Sequence, residues 1–233
     1  MAGALWAAQT GTGPPLVLLH GNGTSHHDFD RMVPLLAPRH RLVGLDSRAH
    51  GASPRGDGEL TFARMADDVD AALEALGLTG VDLLGFSDGG NIALELALRH
   101  PGRVRSLTLV GAVLFPAGAH AWALLAASLL YRVVVVLGRW LPSAKALAER
   151  LDLLVHQPDI DPRDLARIDV PALVVAGERD VVRHEHTRLI ADSLPAGRIT
   201  IVPAAGHLLP RTHPERLAEL VEEHLRGHAG RDA

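Results

Sequence analysis

Val81–Ala97 reads VDLLGFSDGGNIALELA. A short apolar run ends in Gly85-Phe86-Ser87-Asp88-Gly89, and apolar residues at helical spacing follow at once. This change of period marks a strand that turns directly into a helix. A serine at such a turn takes a strained backbone conformation, which is tolerable only if the residues two before and two after it lack side chains. Gly85 and Gly89 stand at those places, and Gly90 gives further room. The turn pushes the Ser87 hydroxyl out at the end of the strand, beside a helix N-terminus whose amides and dipole favour developing negative charge. Taken alone, the pentapeptide also fits a glycine-rich turn with an N-cap serine, so the rest of the chain decides between the two.

On both sides of this stretch, β-type runs alternate with helical patterns. Pro15–His20, Arg41–Asp46, Val81–Phe86, Val104–Val110, Pro171–Ala176 and Arg198–Val202 read as strands of the continuously apolar kind found in buried parallel sheets. His27–Leu36, Thr61–Leu76, Gly89–Arg99, Glu185–Ser193 and Pro214–Leu225 place apolar residues three and four apart and read as helices. The order predicts an α/β fold, a mostly parallel sheet with helices on both faces. The 233 residues suit a single domain, 1–233. One interval breaks the rhythm: residues 113–168 are helical without a strand, a compact lid inserted above the C-terminal edge of the sheet, where open α/β folds bind ligands.

A serine hydroxyl is a weak nucleophile without a base and a group to orient that base. Val202–Leu208 (VPAAGHL) places His207 just after the last strand, and Ala176–Asp180 (AGERD) places Asp180 just after the preceding one, both on the edge that carries Ser87. Glu178 is a weaker neighbour of Asp180, and Val110-Gly111-Ala112, at the end of the strand before the lid, offers no carboxylate. Among the other histidines, His213 reads as the start of the final helix, His184 and His186 as the start of another, and His26 and His27 as the start of the first. His20-Gly21-Asn22-Gly23 follows the first clear strand, and its glycines let backbone N–H groups approach a substrate oxygen. The amides of Asn22 and Asp88 are therefore the expected oxyanion donors.

Composition narrows the field. The chain is 47% hydrophobic and 21% charged with a formal net charge of -4, which lacks the basic excess of a nucleic-acid binder. It has no cysteine, which excludes disulfides, thiolate metal sites and a cysteine nucleophile. No H-E-x-x-H pattern occurs, and neither a metal nor a cofactor is expected. The N-terminal stretch MAGALWAAQTGTGPP has no basic region followed by a long apolar one, so the expected location is cytoplasmic. Ala121–Leu137, the longest apolar stretch, is interrupted by Ser128 and Arg132, falls short of a membrane span and reads as a helix buried on one face. Arginine supplies nearly all the positive charge, Lys145 being the only lysine.

With these residues in view, the chain resembles the α/β-hydrolase superfamily over nearly its whole length: HGNG for the oxyanion loop, LDSRAHGAS (Leu45–Ser53) for the turn after the next strand, GFSDGG for the nucleophile elbow, GERD for the acid and AGH for the histidine. It departs from that pattern ahead of Pro15, where the chain is too short for the usual pair of leading strands. The resemblance implies a serine hydrolase in which Ser87 attacks a carbonyl, His207 takes its proton and Asp180 holds the histidine, with Asp46 and His50 as structural residues of a neighbouring turn. Small carboxylic esters are the implied substrates; thioesters, C–C bonds next to a carbonyl, and a slow-turnover receptor-like role are the alternatives. In valacyclovir-hydrolase-like members the S-D-G-G aspartate pairs with a substrate amino group, which would make Asp88 a substrate contact. The plainer reading of Asp88 is a carboxylate complementing the helix dipole. Phe115, Trp122, Leu125, Leu129, Tyr131, Val133, Leu137 and Trp140 are expected to pack the lid on the sheet, with Phe115 and Trp122 lining the pocket. The expected partner is a small-molecule ester, without nucleic acid or a membrane span, and with homo-oligomerisation left open.

Overall fold

Residues 5–227 are described by the computed structural model; the first and last residues of the expected 1–233 domain lie outside it. Seven strands form one sheet: β1 (Ala7–Thr10), β2 (Pro15–Leu19), β3 (Arg41–Leu45), β4 (Val81–Phe86), β5 (Val104–Val110), β6 (Ala172–Arg179) and β7 (Gly197–Gly206). Their spatial order is β1-β3-β2-β4-β5-β6-β7, with β1 antiparallel to β3 and every other neighbour parallel. Among the described residues ahead of Pro15, one leading strand is present, β1.

The helices are α1 (Val33–Leu36), α2 (Phe62–Ala75), α3 (Asp88–Arg99), α4 (Ala121–Leu137), α5 (Pro142–His156), α6 (His184–Ser193), α7 (Leu209–Thr212) and α8 (Pro214–Arg226). The single helix expected over His27–Leu36 is instead a 3-10 turn, His26–Phe29, followed by the short α1. Pro34 explains the break, because a proline has no N–H to donate and sits only in a helix's first turn.

Successive strand residues face opposite sides, and both sides are covered. Val17 and Leu19, with Leu83, Leu107 and Val174, pack under Phe62, Met65 and Val69 of α2, Ile92 and Leu96 of α3 and Ile190 of α6. Leu16 and Leu18, with Leu84, Val110 and Val175, pack under Phe29, Leu36 and Leu217, Val221 and Leu225 of α8. Each buried aliphatic side chain of this kind contributes about 1.5–3 kcal/mol, and a one-residue slip of register would swap the two apolar sets between faces packed for each other's residues. Because β2 and β4 to β7 run parallel, the loops after them all emerge at one edge of the sheet.

Between β5 and β6 the chain departs into α4 and α5, which pack on each other through Val134, Ala148 and Leu151 with Tyr131, Leu147 and Leu154. α4 turns one side toward α5 and the cavity, as expected, but the expected packing of its large apolar residues on the sheet is not met. Val134 is its only buried residue, and Trp122, Leu125, Leu129, Val133 and Leu137, together with Trp140, are exposed. A helix that is apolar on every side can bury only the side another element reaches. Among the described residues nothing lies over the outer one.

Candidate active site

Ser87 stands at the end of β4, fourth of seven strands, with φ 53° and ψ −118°. A non-glycine residue held there costs about 1–3 kcal/mol, which the surroundings must over-determine. They do so by close packing. A Cβ on Gly85 would lie 2.4 Å from the Gly89 carbonyl oxygen, one on Gly89 would lie 2.0 Å from the Leu19 carbonyl oxygen, and one on Gly90 would meet the Ala112 methyl at 2.8 Å. The Ser87 N–H donates to the Val110 carbonyl (2.7 Å), and its own carbonyl accepts from Gly90 and Asn91 to start α3. The serine is therefore an elbow residue that opens a helix.

His207 follows β7 and lies between Ser87 and Asp180. Asp180, an ionised acceptor, takes the Nδ1–H of His207 at 2.7 Å, which leaves Nε2 facing the Ser87 Oγ at 3.0 Å with its lone pair free to accept the hydroxyl proton. Burial pushes the Asp180 carboxyl up, but the bond from His207 and the N–H groups of Val182 (3.0 Å) and Gly177 (3.3 Å) outweigh it and hold the group below the ordinary aspartate range. A register shift between Gly177 and Arg179, next to Asp180, bends the end of β6 against β7. Phe86 stacks beside the imidazole at 5.2 Å. Glu178 turns away to accept from the Ala204 N–H, so of the two acids only Asp180 meets the histidine.

Gly111 is a residue that sequence reasoning passed over. It follows β5 directly with φ +62°, and a Cβ there would sit 2.7 Å from Cε1 and 2.9 Å from Nδ1 of His207. The strand end without a carboxylate is thus the bed of the imidazole. A glycine at a strand end was the only signal for it.

Asn22 and Asp88 meet at the other side of the serine. The Asn22 amide donates to Asp88 Oδ2 (2.7 Å) and to the Arg150 carbonyl of α5 (2.8 Å), joining the loop after β2, the elbow and the inserted segment. Burial raises the Asp88 carboxyl to about 6 against the stabilising bond from Asn22 and the nearby His207. As the first residue of α3, Asp88 carries a backbone N–H without an intrahelical acceptor. Asp28 secures the Asn22 loop: its carboxylate takes the Gly21 N–H (3.1 Å), the Thr24 hydroxyl (2.5 Å) and the Arg211 guanidinium (2.7 Å), tying that loop to α7 behind His207. His20 accepts the Ser47 N–H on Nε2 (2.9 Å) and donates from Nδ1 to the Gly21 carbonyl (2.7 Å).

Several other histidines have local partners. His26 bonds Asp46, which also takes the Ala52 N–H; His50 bonds the Arg48 carbonyl; and His186 accepts the Leu114 N–H at 2.9 Å. Burial lowers both His50 and His186 to about 4. Among the described residues no group of three or more His, Asp or Glu is arranged to hold a metal.

A cavity of about 310 Å³ opens over Ser87, His207, Asn22 and Asp88, with Ala123, Leu124 and Ala127 of α4, Leu153 and Leu154 of α5, and Val182 and Leu208 among its walls. Phe115 and Trp122 are not in it. Phe115 packs edge-on against His186 at 4.6 Å and joins the core, while Trp122 is 65% exposed on the outer side of α4. For Trp122 the phase of α4 is the reason. Residues 123, 124 and 127 face inward, and 122 lies on the opposite side.

The family model described as alpha/beta hydrolase fold matches residues 14–150. Pimeloyl-[acyl-carrier protein] methyl ester esterase of Neisseria meningitidis is 30% identical over 248 aligned positions, covering 90% of this chain and 93% of that protein. 2-Hydroxymuconate semialdehyde hydrolase of Pseudomonas putida is 27% identical, covering 92% and 88%. The crystal structure of a hydrolase from Pseudomonas aeruginosa PA01 superposes with a TM-score of 0.76 at 29% identity over 95% of this chain and 94% of that one. The chain belongs to the α/β-hydrolase family. Its named relatives are esterases and hydrolases, and its class is that of an esterase-like enzyme on this fold.

Proposed function

We propose that the protein hydrolyses small carboxylic esters through a serine-bound acyl intermediate. The observation that carries this reading is the line Ser87 Oγ, His207 Nε2, His207 Nδ1, Asp180 Oδ1, with 3.0 and 2.7 Å at its two hydrogen bonds. Ser87 Oγ adds to the ester carbonyl as its proton passes to His207 Nε2; Asp180 holds the ring and stabilises the cation. The N–H groups of Asn22 and Asp88 receive the oxyanion, and collapse expels the alcohol, which takes the proton from His207. Water, deprotonated by the same nitrogen, then releases the acid and restores Ser87.

The apolar cavity of about 310 Å³ supports a small, neutral acyl or alkyl group. The Neisseria relative, named a methyl ester esterase, supports an ester in first place. The Pseudomonas relative, named for a semialdehyde substrate, keeps C–C cleavage beside a carbonyl as the second reading. A charged amino ester is a narrower version of the first reading, with Asp88 as the receiving carboxylate; its test is Asp88→Asn on matched amino and neutral esters, where equal losses would reject it.

Turnover of a short-chain p-nitrophenyl ester series by the parent and by Ser87→Ala tests the proposal. Sustained release that vanishes in the variant supports it. A single burst points to a receptor-like protein, and release unchanged in Ser87→Ala removes the serine mechanism. Fractionation of producing cells tests the expected cytoplasmic location.

A further inference from the structure

The outer face of α4 has no role in the site below it. Trp122, Leu125, Leu129, Val133 and Val136, continued by Trp140 just past the helix end, are spaced three and four apart and form one exposed apolar stripe; Trp122 is 65% and Trp140 71% exposed. The helix is roughly 25 Å long, from its 17 residues and the usual rise. Its tryptophans therefore stand at opposite ends of the stripe. A monomer's surface rarely keeps so contiguous an apolar area without a partner.

The charges around the stripe indicate which partner. From Gly111 to Ala148 there is no aspartate or glutamate, while Arg132, Arg139 and Lys145, the one lysine of a chain with net charge -4, all lie there and are exposed. Among the described residues, none of the three belongs to an ion pair. Arg139 and Lys145 open on a groove that Glu59, Glu149 and Asp152 also line, and of these acids Glu149 is engaged by Arg55 (2.8 Å) and Asp152 by His156 (2.8 Å). A two-fold dimer through this face would pair the patch with itself and set Arg132, which flanks the stripe, against its own copy. A surface that is apolar within and anionic outside satisfies both features: tryptophan rings settle at headgroup level and arginine and lysine stems reach phosphates.

We propose that the outer face of α4 docks on an anionic lipid bilayer, Trp122, Leu129, Val133 and Trp140 entering the interface and Arg132, Arg139 and Lys145 lying against lipid phosphates. The helix lies on the membrane and does not cross it, in keeping with the finding that no helix of the described residues is long and apolar enough to span one. The inner side of the same helix supplies Ala123, Leu124 and Ala127 to the cavity wall. Docking thus brings the roof of the pocket to the lipid surface. The inference does not depend on the chemistry at Ser87.

The test is co-sedimentation of the whole chain with vesicles of phosphatidylcholine alone or mixed with phosphatidylglycerol. Tryptophan fluorescence is followed in a Trp6→Phe background, so that Trp122 and Trp140 report alone. The expected result is binding to the mixed vesicles only, with a blue shift that added salt reverses. Replacing Arg132, Arg139 and Lys145 with glutamine should lower the partition coefficient on the order of 100-fold, at roughly 1 kcal/mol per cation near an anionic surface. Leu129→Asn with Val133→Asn should remove the blue shift. The parent protein alone decides the matter if a variant does not fold. No binding, equal binding to both vesicles, or a stable dimer in light scattering that ignores lipid would overturn the proposal, the last assigning the face to a second copy.

Discussion

Gly111→Ala isolates the geometry of the site from its chemistry, because it alters no polar group. The new methyl would lie 2.7 Å from His207 Cε1, where an unstrained carbon contact needs about 3.5–4.0 Å, so the ring must retreat by about 1 Å. From 3.0 Å, that retreat carries Nε2 beyond hydrogen-bond reach of Ser87 Oγ. A misplacement of about 1 Å at the reacting groups costs on the order of 100-fold in rate. Alanine at φ +62° also carries a left-handed penalty of about 1–2 kcal/mol. For a chain of this length that lowers Tm by about 2–8 °C, leaving a folded protein. The assay is kcat/KM on a p-nitrophenyl ester beside a thermal melt followed by circular dichroism. The expected result is a folded variant with kcat/KM down by about two orders of magnitude. A folded variant within about twofold of the parent would refute the reasoning that Gly111 sets the position of His207.

Two further perturbations test the surroundings. Burial raises the Asp88 carboxyl to about 6 from 3.8, so the folded state holds its proton more tightly than the unfolded chain. The resulting stability is complete below pH ~4 and lost as pH rises through ~6. Relative to Asp88→Asn, the parent should lose about 3 kcal/mol between those limits in urea titrations; a difference that does not change with pH would contradict the burial argument. Arg211→Ala removes a cation that is half-exposed from the fully buried Asp28, and should cost about 1–2 kcal/mol, with Arg211→Lys recovering part of it. An unchanged denaturation midpoint would mean that Asp28 is held by the Gly21 N–H and the Thr24 hydroxyl alone.

The chain itself determined a great deal. Period changes located six of the seven strands, and the parallel order that follows from βα alternation sent the loops bearing Asn22, Ser87, Asp180 and His207 to one edge. Those residues were legible because each lies within a few positions of its strand end, among small residues that admit tight turns. Other features came only with the tertiary structure. Gly111 touches a histidine 96 positions later, Asn22 reaches the carbonyl of Arg150, and Asp28 meets Arg211 across 183 positions. No local pattern encodes such contacts, since they depend on where separate loops converge. The misplacement of Phe115 and Trp122 has the same origin. Helical spacing in α4 defined an apolar stripe correctly, but a helix apolar on every side has no sequence signal for which side meets the protein, and only packing against α5 and the cavity turned Ala123, Leu124 and Ala127 inward and left the tryptophan outside.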